Sequence, residues 1–127
     1  MVLTVDNKSR YCRQATSVAQ AVPDLLPGTL DLLVLRMLQS EPLHGWAISE
    51  RMQQVSADVL QIGQGSLYPA LHRLEHQGWV EAEWRTSELG RRAKYYRLTS
   101  RGRRQLETET VAWERMSQAI NRVLRHA

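Results

Sequence analysis

The sequence predicts a mainly α chain with a small β-hairpin, and three observations carry that prediction. Apolar residues recur at helical spacing in three consecutive segments between Leu30 and Gln77. The period then switches to two, with Val80, Ala82 and Trp84 alternating against Glu81, Glu83 and Arg85. A last stretch to about Leu124 returns to helical spacing, with Leu106, Trp113 and Ile120 each a heptad apart. Three helices followed by a two-stranded hairpin is the order of a winged helix-turn-helix, continued here by a long C-terminal dimerisation helix. The 127 residues have room for one core. They divide into an N-terminal extension 1–24, a winged unit 25–98 and a terminal helix 99–127.

Within the extension, Tyr11 to Val22 is a candidate helix with Ala15, Val18, Ala19 and Val22 on one side. Pro23 and Pro27 mark a break, and Thr29 is the expected N-cap of the first well-patterned helix. Leu30, Leu33, Val34, Met37 and Leu38 make that helix apolar on nearly every side, as in a helix buried between others. Ser40-Glu41-Pro42 ends it, and Pro42 to Gly45 reads as a short connection. A second helix runs from about Trp46 to Ser56, with Ile48, Met52 and Val55 as its buried stripe.

After a loop with two glycines, Ser66 is expected to cap a third helix, Leu67 to Gln77. Pro69 would fall in its first turn, where a missing N–H costs nothing. Leu67, Leu71 and Leu74 face the core, and Gly78 takes the C′ position. The hairpin strands run near Val80–Arg85 and Lys94–Leu98, around a turn at Thr86–Arg92. Pairing parity puts Tyr96 and Leu98 on the buried side with Val80 and Ala82, leaving Tyr95 outward. Trp46 and Trp84 are candidates to close the monomer core. Thr99 caps the last helix, whose apolar seam is Leu106, Trp113, Met116, Ile120 and Val123, interrupted near its start by Glu109.

Charge is unevenly placed. The net charge is +4, but Trp84 to Arg104 holds eight basic residues against the single acid Glu88. That stretch is therefore +7 and the remainder −3. Seven of the eight are arginine, which suits bidentate phosphate contact, although a solvated charged face has the same composition. The single cysteine, Cys12, excludes an internal disulfide and a multi-cysteine zinc site. No apolar run approaches the roughly 20 residues of a membrane span, and Asp6, Asn7 and Lys8 break any signal-peptide order, so a cytoplasmic location is expected.

With the leucines of the third helix turned inward, Pro69, His72, Arg73 and His76 point outward. Gln64, Ser66 and Tyr68 lie at its leading end, where a recognition helix meets DNA and where a hydroxyl and free N–H groups can hold phosphate. Arg91, Arg92 and Lys94 lie at or beside the hairpin tip, with Tyr95 following, placed to straddle a sugar-phosphate chain or enter a minor groove. His72-Arg73-Leu74-Glu75-His76 fits the H-x-x-E-H spelling of a metallopeptidase class. A catalytic zinc also needs a third protein ligand and a cleft, so chance is the better explanation and no metal, cofactor or catalytic residue is expected.

Four segments together resemble the PadR-like transcriptional regulators: Leu26–Leu35, His44–Ile48, Gly65–Glu75 and Lys94–Gly102. The likeness covers about Leu25 to Leu124 and is to short members with a single C-terminal helix. It implies a homodimeric DNA-binding repressor that dimerises through that helix. In some members a planar aromatic or cationic small molecule releases DNA. Trp113 is the candidate ligand-binding residue, and a small-molecule-sensing or protein-interaction module on the same fold is the alternative. Members of the family often begin just before the Leu26–Leu30 segment. Two readings of Met1 to Ala21 therefore stay open: a start near Val22, or a genuine extension whose Arg10 and Arg13 form a basic arm.

Overall fold

A computed structural model describes residues 27–126 of the chain. The expectations for residues 1–24, including the helix Tyr11 to Val22 and the start near Val22, lie outside the described residues. The element order is α1 (Pro27–Met37), β1 (Leu43–His44), α2 (Gly45–Val55), α3 (Gln64–His76), β2 (Val80–Thr86), β3 (Arg92–Leu98) and α4 (Ser100–His126). The three strands form one antiparallel sheet in the order β1-β3-β2. The winged helix-turn-helix with a long C-terminal helix is thus present.

The core lies where α1, α2 and α3 meet one face of the sheet. Val34 and Leu35 of α1, Ile48 of α2, and Leu67, Ala70, Leu71 and Leu74 of α3 are completely buried. Each such aliphatic side chain contributes about 1.5–3 kcal/mol of transfer free energy. The register Val80↔Leu98 and Ala82↔Tyr96 puts Val80, Leu98 and Tyr96 into this core, as parity predicted.

Several boundaries differ from the sequence reading, each for a local reason. Helix α1 starts at Pro27 rather than after Thr29, because proline suits the first helical turn. Pro42 to Gly45 is not merely a connection: Leu43 pairs with Tyr96 and His44 with Tyr95. Two residues are too few to show alternation. His44 then caps α2, its Nδ1 accepting from the Ala47 N–H at 3.2 Å. Val55 is 71% exposed rather than part of the α2 stripe, since that helix ends there. Helix α3 begins at Gln64, with Gly63 as an N-cap that makes no side-chain bond. Ser66 therefore lies inside the first turn, and Pro69 lies one turn further in, leaving the Gly65 carbonyl without its i+4 donor. Trp46 and Trp84 are 60% and 58% exposed and do not close the core.

The end of α3 and the start of α4 are joined in one knot. Gly78 adopts φ +78°, and the Trp79 N–H donates to the Leu74 carbonyl at 3.0 Å, a Schellman stop. The Thr99 N–H donates to the Trp79 carbonyl at 3.1 Å, and its hydroxyl donates to the Gly78 carbonyl at 2.7 Å. The same hydroxyl oxygen accepts from the Gly102 N–H at 3.0 Å, capping α4. Gly102 packs directly against the Trp79 carbonyl, where any Cβ would collide with backbone. We therefore expect Gly102→Ala to lower stability by about 3 kcal/mol, read as a fall in the urea midpoint with the slope unchanged. An unchanged midpoint would contradict the packing described.

Candidate nucleic-acid interface

Helix α3 presents the face that its leucines leave outside. Gln64, Ser66, Tyr68, Pro69, His72 and Arg73 are all exposed. Their roles separate once partners are considered. The Arg73 guanidinium lies 2.8 Å from Asp31 Oδ1, so it clamps α3 to α1 instead of projecting freely. Gln64 Nε2 donates to Ser49 Oγ at 3.3 Å and ties the start of α3 to α2. Pro69, His72 and His76 are left as the outermost side chains, with no ion pair among the described residues. Tyr68, 47% exposed, leans across the first residue of α2. A Cβ on Gly45 would approach its hydroxyl to 2.7 Å, so the glycine makes room for the ring.

The basic stretch is less basic in space than in sequence. Arg97 pairs with Glu81 at 2.6 Å and Arg85 with Glu83 at 3.5 Å, both on the sheet face away from the core. Lys94 pairs with Glu75 of α3 at 3.5 Å, so it is a seam residue and not part of a free tip. The hairpin turn spans Ser87 to Arg91, closed by the Ser87 N–H donating to the Arg91 carbonyl at 2.6 Å. There Arg91 makes no side-chain ion pair among the described residues, and the Arg92 guanidinium lies 5.6 Å from the Trp84 ring centroid. Arg91 and Arg92 thus remain the wing's cations without a carboxylate partner among the described residues.

Tyr95 lies on the outer sheet face as expected, but it is half-buried. The Arg85 guanidinium covers its ring at 4.5 Å, and His44 meets it edge-on at 5.2 Å. Tyr96, on the inner face, has its hydroxyl pKa pushed up from the usual 10.0 by burial, then by the Glu75 carboxylate and by Tyr68. It stays a neutral donor at physiological pH. Residues that sequence reasoning missed here are His44, Gly45, Glu75 and Trp84. Only their tertiary neighbours give them roles, and the His44–Gly45 pair was the one local signal.

The long helix divides in two. Leu106 is only 5% exposed and belongs to the monomer core, a correction to its place in the seam. Beyond it no described residue of α4 is buried. Trp113, Met116, Ile120 and Val123 form an exposed apolar stripe, with Glu109 at its start held by Gln105 Nε2 at 2.8 Å. His72, Glu75 and His76 do not form a metal site. Among the described residues no three His, Cys, Asp or Glu side chains converge.

Comparison with known proteins shows the family and the fold. Residues 34–108 match the transcriptional regulator PadR-like family. A transcriptional regulator from Mycobacterium tuberculosis is 32% identical over 89 residues, covering 70% of this chain and 79% of that protein. A protein from Lysinibacillus sphaericus is 30% identical over 98 residues, covering 77% and 90%. The fold is similar to a PadR-like transcriptional regulator of Bacillus cereus, with TM-score 0.70 and 28% identity over 83% of this chain and all of that one. It is also similar to a transcriptional regulator from Clostridium thermocellum, with TM-score 0.71 and 27% identity over 79% and 97%. The chain belongs to the PadR-like family of transcriptional regulators, and it is a DNA-binding regulator rather than an enzyme.

Proposed function

We propose that the chain is a homodimeric repressor that binds a pseudo-palindromic duplex site. The observation that carries the reading is the exposed outer face of α3 beside a wing tip whose Arg91 and Arg92 lack carboxylate partners among the described residues. Tyr68, Pro69, His72 and His76 would reach the major groove, with Ser66 and Gln64 at the leading end near phosphate. Arg91 and Arg92 would hold the backbone or enter the adjacent minor groove. Arg73, committed to Asp31, would position α3 rather than read bases.

The α4 stripe supports the dimer. Four large apolar side chains in one exposed row along a solvated helix need a partner. A closed two-fold pair is the commonest arrangement and would present two α3 helices to half-sites about one helical turn apart. Occupying a promoter in this way would make it a repressor in the cytoplasm. Among the described residues no helix is long and apolar enough to cross a membrane.

Trp113 favours a second role. It is 47% exposed on the stripe, so two copies facing each other across the dimer would sandwich a planar aromatic or cationic effector.

Light scattering at micromolar concentration should give the dimer mass, and Trp113→Glu should give the monomer. A monomeric wild type would refute the dimer. Arg91→Ala and Arg92→Ala should each weaken binding to every duplex and lower the salt slope by roughly 0.9. Tyr68→Ala should also change the preferred site in a selection from random DNA. Identical profiles for wing and α3 variants would contradict this division of labour. Tryptophan fluorescence titrated with planar aromatics should change in the wild type but not in Trp113→Phe, and no change in either protein would remove the effector role.

A further inference from the structure

We infer that Glu75 is a displaceable counterion: it holds Lys94 in the unbound protein and yields it to a backbone phosphate when duplex DNA is seated. The inference rests on the DNA-binding reading above and adds to it a residue that limits affinity for duplex of any sequence. Glu75 is poorly placed for any simpler purpose. It lies in the last turn of α3, where a carboxylate opposes the helix dipole. It also flanks the surface that would face a polyanion, where a negative charge works against binding.

Among the described residues its ion-pair partner is Lys94 of β3, at 3.5 Å. The two side chains are 39% and 38% exposed, so the pair is open to solvent and weak. Its position gives it a function. The pair bridges the seam between α3 and the wing, and the Lys94 ammonium lies 5.6 Å from the Tyr96 ring centroid beneath it. A DNA strand running from the groove read by α3 to the groove met by the wing tip must cross that seam. The phosphate that crosses there competes with Glu75 for Lys94.

Exchange of one anion for another contributes little net attraction, and it leaves the freed carboxylate beside DNA. Every duplex therefore binds more weakly than the count of cations implies. Only a site that makes the remaining α3 and wing contacts overcomes the deficit. Because a phosphate contact is blind to sequence, Glu75 lowers random and specific binding by a similar factor.

The test is a double-mutant cycle on full-length protein, with affinity for a random 30-base-pair duplex and for a selected site measured across a salt series. Glu75→Gln should tighten random-duplex binding about twofold to fivefold and steepen the salt slope by up to roughly 0.9. The selected site should tighten by a similar factor, leaving the ratio of specific to random affinity unchanged. In a Lys94→Met background the same substitution should tighten random-duplex binding clearly less, because only the carboxylate's repulsion of DNA is then removed. If Glu75→Gln tightens binding equally without Lys94, the carboxylate acts by long-range repulsion and the exchange is refuted. If wild type binds duplex in a salt-dependent way and Glu75→Gln matches it, this inference alone fails. A wild type that binds no duplex overturns the DNA-binding reading and this inference with it.

Discussion

The junction between Gly78-Trp79 and Thr99-Gly102 fixes the geometry on which the interface depends. Four elements end or begin there: α3 stops, β2 departs, β3 returns and α4 starts. The Trp79 carbonyl accepts from Thr99 while Gly102 packs against it, and the Thr99 hydroxyl serves both the Gly78 carbonyl and the Gly102 N–H. The angle between α3 and the wing is thereby set by short contacts of backbone and of one threonine hydroxyl rather than by long flexible side chains. So is the direction in which α4 leaves the domain. The surface proposed to match two adjacent grooves of a duplex would require such rigidity, because a small error at the junction is magnified at the wing tip.

Electrostatics then refine what packing has built. Fully buried leucines contribute about 1.5–3 kcal/mol each, whereas exposed ion pairs contribute about 0–1 kcal/mol. The pairs Lys94–Glu75, Arg97–Glu81 and Arg85–Glu83 therefore do little to hold the domain together. Their consequence is selective neutralisation. Arg85, Lys94 and Arg97 of the wing are matched by carboxylates, whereas Arg91 and Arg92 at its tip and Arg101, Arg103 and Arg104 of α4 are not, among the described residues.

Helix α4 is one continuous element, but only its first turns belong to the core of the winged domain. Its first turns bury Gly102 and Leu106 against the winged domain, and beyond Leu106 the helix leaves that domain altogether. A heptad pattern read along the sequence cannot tell where one core ends and the next would begin. Leu106 shares the spacing of Trp113 and Ile120, yet it is covered by its own domain while they are exposed.

The order of elements, the three inward leucines of α3, the hairpin parity that buries Tyr96 and Leu98, the Gly78 stop and the Thr99 cap were all legible in the sequence. Each is a local consequence of period or capping chemistry, which a few neighbouring residues determine. What stayed hidden depends on residues far apart in the chain. The two-residue strand β1 exists only because β3 offers it an edge, and Trp46 and Trp84 are exposed only because leucines have already filled the core. The candidate site was legible as a set of residue types but not as a set of roles. Arg73 and Lys94 look like free cations until Asp31 and Glu75 are brought beside them. Sequence alone determined which segments fold and which faces are apolar, because both follow from short-range periodicity. Tertiary structure decided which charges remain available, because neutralisation depends on distances that only the completed packing sets.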